Sequence, residues 1–322
     1  MNFCLHFLKV VIAYFLVVNL VTTFKQYRLL IWAMILSSLY VALVSIHAYY
    51  AGGGGVIGHR MFGAFRGALF GDPNDLALSF IMLLPFTFYA LFRGGFLYKL
   101  LNAAIAGVFL WGIILTQSRG GLVALLAVLI VWWWRSRRKV LFSMLIAALL
   151  IGSWSMAPER YKERMNTIFT AKEEDAAAIS RLDAWHAGWN MMKSRVFGVG
   201  AGNFGEGFFH YRPFGAVDVI GMRRESHNMF IQFGGENGFP GLFIFLFLIY
   251  SALKSFNKSK KYLLKRYPKE KNDALLLVDA TYMSLIGFCA GGMFLSQAYN
   301  FIFYYLIALS VVLARLIYHD EI

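Results

Sequence analysis

The sequence predicts an all-α polytopic integral membrane protein, and three observations carry that prediction. Of the 322 residues, 59% are hydrophobic and only 15% are charged, whereas soluble domains have roughly 45–50% apolar and roughly 25% charged residues. The apolar residues gather in long stretches, several of which approach the ~20 residues that cross a bilayer as a helix. The charged residues fall between those stretches. This pattern excludes a soluble enzyme, a disulfide scaffold and a disordered chain. Cys4 and Cys289 both lie in apolar segments without spaced partners, which excludes a cysteine-based metal site.

Nine spans are expected, at residues 5–24, 29–50, 75–92, 96–116, 122–134, 140–157, 229–253, 275–297 and 301–317. The fifth is short unless the run Trp132-Trp133-Trp134 sits at the membrane interface, where tryptophan is favoured. The net charge of +14 is concentrated in two clusters, Arg135 to Lys139 and Lys254 to Lys271. Both lie between spans, where Lys and Arg mark cytoplasmic loops, so the basic balance reads as topology and not as nucleic-acid binding. Strict alternation then puts Lys25, Arg28, Arg93 and Lys99 inside as well. It puts residues 51–74, the turn 117–121 and the stretch 158–228 outside. That last stretch has ten basic and nine acidic residues, with no positive bias. The N-terminus also falls outside, as expected if an odd number of upstream helices is missing or if the first span is misread. The organisation expected is a six-span region 1–157, a large periplasmic loop 158–228 with an amphipathic helix, and a three-span region 229–322. Gly52 to Gly55 read as a flexible exit from the second span.

Polar groups at membrane level are costly, so their positions are informative. Four clusters fall on the outer side. In Gly71-Asp72-Pro73-Asn74-Asp75-Leu76-Ala77, Asn74 or Asp75 is placed to cap the third span, and a polar cavity lining is the other reading. In Thr116-Gln117-Ser118-Arg119-Gly120-Gly121, a tight turn needs glycine but not arginine. Arg119 suits a phosphate held through two parallel hydrogen bonds, or it snorkels into headgroups. The third cluster begins at Arg181, with Trp185, Trp189 and Met192 on one helical face, and a glycine loop from Gly198 to Gly202 follows. No strand precedes that loop, so it is not a nucleotide-binding fingerprint. The fourth is Arg223-Arg224-Glu225-Ser226-His227-Asn228, followed by Glu236. A neutral imidazole at His227 is suited to taking a proton from a hydroxyl, although a histidine at a helix entrance also serves as a cap. Glu236, inside an apolar segment, needs a partner and is placed to orient His227 or to bind backbone. No His, Asp or Glu grouping has metal-ligand spacing, and no metal or cofactor is expected.

Asp72-Pro73-Asn74-Asp75-Leu76-Ala77, Ser118-Arg119-Gly120, Arg181 with Trp185 before a Gly-x-Gly-x-Gly loop, and Ser226-His227-Asn228 before Glu236-x-Gly238-x-x-Gly241 occur in that order. Their combination resembles the O-antigen ligase family, also called the Wzy C-terminal superfamily, over roughly residues 8–255. Asn74-Asp75-Leu76-Ala77 also resembles the O-glycosylation ligases associated with exosortase systems. The resemblance implies a GT-C-like membrane glycosyltransferase in the bacterial inner membrane. Such an enzyme moves a glycan from an undecaprenyl (polyprenyl) diphosphate carrier to a hydroxyl on lipid A core, another glycan or a protein, at the periplasmic face. It further implies that Arg119 and Arg181 bind the donor diphosphate and that His227 is the base. Asn74, Asp75, Glu236, Arg223 and Arg224 are the remaining candidate substrate-binding residues. Family members usually carry about a dozen helices, more than the nine expected here. A polymerase of the same superfamily shares the donor chemistry. A transporter of bicarbonate or lipid-linked sugar is a further alternative, and it would place ionisable residues on discontinuous helices near mid-membrane.

Overall fold

The structure is a computed structural model that describes residues 2–51, 56–57, 59–64, 71–91, 93–136, 139–156, 159, 162, 176–213, 224–267 and 273–318. In chain order the elements are α1 (Asn2–Leu20), α2 (Phe24–Ala51), β1 (Val56–Ile57), β2 (Arg60–Met61), α3 (Pro73–Leu91), α4 (Phe96–Thr116), α5 (Arg119–Arg135), α6 (Lys139–Met156), α7 (Ala176–Ser194), α8 (Phe204–Tyr211), α9 (Met229–Arg266), α10 (Asp273–Gly292) and α11 (Phe301–Tyr318). The protein is a helical, multi-pass membrane protein. Among the described residues, α1, α2, α3, α4, α9, α10 and α11 are long and apolar enough to cross a membrane. Helix α5 has 17 residues and covers the stretch expected as a short fifth span, without being among these seven. Helix α6 coincides with the expected sixth span. Apolar side chains such as Leu20, Leu29 and Phe243 are 65–70% exposed, as lipid-facing residues would be. Among the described residues, the exception to an all-helical fold is the antiparallel pair β1–β2, with Val56 opposite Met61. Gly52 to Gly55, expected as a flexible exit, lie outside the described residues.

The chain divides into two compact units, each assembled from separate stretches. The first comprises Met1–Leu20, Ala171–Ser255 and Gly292–Val311; the second comprises Val21–Thr170, Phe256–Gly291 and Val312–Ile322.

In the second unit α3 is buried along most of its length, although Pro85 sits inside it. Helix α4 packs along it through Phe80 and Phe109, which stack at 5.3 Å. A Cβ at Gly112 would come within 2.7 Å of the Phe80 ring, so the close approach of the two helices requires glycine. Helix α10 joins on another side, where Ser284 Oγ donates to the Met82 carbonyl at 2.6 Å. Tyr27 on α2 shares a hydrogen bond of 2.6 Å with Thr281. At one end of this unit the cations meet aspartates. Arg93 pairs with Asp273, and Arg28 lies 3.6 Å from the same carboxylate. Arg135 and Lys260 converge on Asp279 at 2.5 and 2.9 Å. Apart from Asp279, which lies inside the expected eighth span, these groups come from segments that the charge pattern assigned to one side.

The first unit has a separate core, in which Ala184, Ala187 and Met191 of α7 pack on Phe204 and Phe208 of α8. On the helical face read from the sequence, Met192 is buried and Arg181 and Trp185 are half-buried, while Trp189 is 44% exposed and meets the Phe239 ring edge-on at 5.6 Å.

Candidate functional site

In the second unit the site begins with a helix cap. Asp72 Oδ1 accepts the backbone N–H of Asn74 at 2.7 Å, and Pro73 is the first helical residue, a position where its missing N–H costs nothing. The cap is therefore Asp72, not Asn74 or Asp75 as expected. Asn74 is released for another task. Its side-chain amide donates to Asp72 at 2.8 Å, while its Oδ1 accepts from Arg60 Nη2 at 2.8 Å and from Ser118 Oγ at 2.7 Å. Arg60 also donates through Nε to the Thr116 carbonyl at 2.9 Å. Asn74 is thus the hub joining the β1–β2 hairpin, the end of α4 and the start of α5. Asp75, inside the first turn of α3, lies near this hub in the chain and is half-buried.

Arg119 is the first residue of α5, and Ser118 is its N-cap, accepting from the Gly121 N–H at 2.9 Å. The sharp turn before it is made by Gln117, not by glycine. Gln117 has φ 49°, and its side chain donates to the His59 carbonyl at 3.2 Å. Gly121 instead provides clearance, since a Cβ there would stand 3.0 Å from that of Ala77. Arg60 was missed by sequence reasoning. It lies in a loop without periodicity, and only the hairpin brings it to Asn74.

In the first unit the segment before α9 is laid along α7. Arg224 donates to Ser180 Oγ, and Trp185 Nε1 donates to the Ser226 carbonyl at 3.1 Å. Both anchors flank the turn of α7 that carries the half-buried Arg181. The guanidinium of Arg224 also lies 5.8 Å from the Phe208 ring centroid. Arg223 lies outside the described residues.

His227 adopts φ 48°, a left-handed conformation that costs energy for a residue with a Cβ. Its neighbours hold it there. Its backbone N–H donates to Ser296 Oγ at 2.9 Å, Ser226 Oγ donates to the Asn228 carbonyl at 2.9 Å, and Asn228 Oδ1 caps α9 by accepting from Phe230 and Ile231. The cap role that competed for His227 in the sequence is filled by Asn228.

Helix α9 was expected as one continuous span but is broken. Gly238 has φ 69° and ψ −173°, with Pro240 two residues on. The break receives the glycine loop: Val199 and Gly200 donate backbone N–H groups to the Gly235 and Glu236 carbonyls at 3.0 and 2.9 Å. A Cβ at Gly238 would stand 1.8 Å from the Val196 carbonyl oxygen, so backbone meets backbone here and only glycine fits. Glu236 is 2% exposed. Its carboxylate accepts from Gly202 N–H at 2.8 Å and from Phe204 N–H at 3.0 Å. Tyr299 also donates to it, and burial followed by the Glu236 charge pushes that phenol well above its ordinary range, so the donor stays protonated. Of the two roles considered for Glu236, binding backbone is the one observed. The candidate substrate-binding residue is a clamp on the glycine loop and on the start of α8.

The sequence-derived residues thus fall into two groups, each ordered within its own unit: Asn74, Asp75 and Arg119 in the second, and Arg181, Arg224, His227 and Glu236 in the first. A comparison with curated proteins found no match to the chain. Residues 103–246 match the family model described as O-Antigen ligase. That stretch includes Arg119, Arg181, Arg223, Arg224, His227 and Glu236, while Asn74 and Asp75 precede it. Motif order and family match agree: residues 103–246 of this chain are similar to the O-antigen ligase family.

Proposed function

We propose that the protein is an inner-membrane glycosyltransferase of GT-C-like architecture. It moves a glycan from a polyprenyl diphosphate carrier to an acceptor hydroxyl at the periplasmic face, as an O-antigen ligase or O-glycosylation ligase. The observation that carries this reading is the match over residues 103–246, which spans both arginines and the histidine singled out by chemistry. Arg119 and Arg181 bind the donor diphosphate, assisted by Arg223 and Arg224. Asn74 and Asp75 shape the donor end of the second unit. Glu236 acts from behind, by fixing the glycine loop and the break in α9.

The reaction balances without a metal. The acceptor oxygen bonds to the anomeric carbon, and the bond from that carbon to the diphosphate oxygen breaks. His227 takes the hydroxyl proton, and polyprenyl diphosphate departs with the electron pair. Negative charge grows on the leaving oxygen, where fixed guanidinium groups stabilise it by several kcal/mol in a low-dielectric site. Attack opposite the diphosphate inverts the anomeric centre. A polymerase shares the donor chemistry and differs only in the acceptor. The broken α9 favours one further reading, since transporters build substrate sites on discontinuous helices. In this chain the polar group at the break, Glu236, is engaged by backbone, which weighs for a structural role of the break.

The test is reconstitution in liposomes with a polyprenyl diphosphate-linked oligosaccharide and an acceptor extract. Wild type should release polyprenyl diphosphate, and His227→Ala should lower that release about a hundredfold. Unchanged release in His227→Ala would remove the base assignment. Movement of lipid-linked sugar or bicarbonate across the bilayer without release would replace transfer with transport.

A further inference from the structure

Helix α5 has two faces with different neighbours. Ala124, Val128 and Arg135 share one side, where a Cβ at Gly287 would stand 2.5 Å from Val128 and one at Gly291 would stand 3.3 Å from Ala124. Those contacts, with the Arg135–Asp279 pair, show that this side is packed against α10. At about 100° per residue, Leu126 and Ile130 lie on the opposite side, within about 20° of the direction of Arg119, and Trp133 lies within about 40°. These three residues line an apolar cavity of about 380 Å³ between α5 and α6, walled on the other side by Ile146 and Ala147. At its far end α5 and α6 are tied together. Trp133 Nε1 donates to Ser143 Oγ at 2.9 Å, and the Lys139 ammonium lies 4.4 Å from the Trp133 ring centroid.

We propose that this cavity holds the isoprenoid tail of the donor lipid. The proposal rests on the reading that Arg119 binds the donor diphosphate. The row Arg119, Leu126, Ile130, Trp133 carries one cation at its head and only apolar surface below, over about 21 Å of helix rise. A molecule with a diphosphate at one end and a long unbranched run of isoprene units behind it has that same polarity along its length. The groove opens on the face of α5 that is not used for packing, so a tail can enter without separating α5 from α10. Trp133, Ser143 and Lys139 tie α5 to α6 at the far end of the groove and keep its two walls side by side.

The test uses the full chain in detergent and a photoreactive long-chain polyprenyl diphosphate, with labelled peptides identified by mass spectrometry, so no turnover is required. Label is expected on α5 and α6, displaced by unlabelled polyprenyl diphosphate and about tenfold weaker in Ala147→Trp, which fills the groove. Dimethylallyl diphosphate, whose single isoprene unit ends short of the level of Leu126, about 10 Å of helix rise below Arg119, should bind that variant as it binds wild type, which also reports that the variant is folded. Leu126→Ala enlarges the groove and should keep the label. Equal labelling of wild type and Ala147→Trp, or label displaced as readily by phosphatidylglycerol, would overturn the proposal. Label in the groove with no turnover of any lipid-linked donor would leave the tail site standing and remove the transferase reading. Turnover with label elsewhere would remove the tail site alone.

Discussion

Helix α5 begins with one arginine and ends with another, and the two ends are held in different ways. At its C-terminal end the hub is an aspartate. Asp279 accepts from Arg135 and Lys260, Arg135 also donates to Asn257 at 2.8 Å, and its guanidinium lies 4.1 Å from the Tyr282 ring centroid. At its N-terminal end the hub is an amide. Asn74 Oδ1 accepts from Arg60 and Ser118 and brings no charge of its own. A carboxylate hub locks helices together and offsets charge locally, whereas an amide hub fixes geometry without adding a charge of its own. On the proposed function, the amide end is the one that holds the donor diphosphate.

Two substitutions sharpen that contrast. The larger effect should come from Asp279→Asn. Arg135, Asp279 and Lys260 side chains are only 11–20% exposed, so removing the carboxylate leaves two like charges facing each other at low solvent access. A loss of roughly 3 kcal/mol is expected, read as a lowered midpoint in detergent unfolding, with donor turnover per folded molecule unchanged. The smaller effect should come from Asn74→Asp. The new carboxylate still accepts from Arg60 and Ser118, but it adds negative charge next to the diphosphate position and loses the bond to Asp72. Turnover should fall about tenfold, equivalent to about 1.4 kcal/mol, with a midpoint shift well below that of Asp279→Asn. Equal turnover in Asn74→Asp and wild type would show that the neutrality of the hub has no functional weight.

The helices were legible from hydropathy because bilayer thickness fixes their length. The order of polar motifs was legible too, since polarity at membrane level stands out against the apolar background. What stayed hidden depended on contacts distant in sequence. Asp72 as the cap could have been inferred from Pro73, which prefers the first helical position. The break in α9 had a local sign in Gly238 two residues before Pro240, but the reason for it is the Val196 carbonyl, more than forty residues earlier. Arg60 had no local signal, because a two-residue hairpin places it. The role of Glu236 was open in the sequence because its partners, Gly202, Phe204 and Tyr299, come from two other segments.

The most direct measurement compares the two arginines of α5 in one assay, donor turnover per folded molecule alongside thermal unfolding, for Arg119→Ala and Arg135→Ala. Arg119→Ala should lose about a hundredfold in turnover, with a smaller midpoint shift than Arg135→Ala. Arg135→Ala should lose stability and retain turnover in the molecules that remain folded. If Arg119→Ala turned over the donor like wild type, or if both variants lost turnover equally, the division of labour along this helix, and the donor site built on it, would be contradicted.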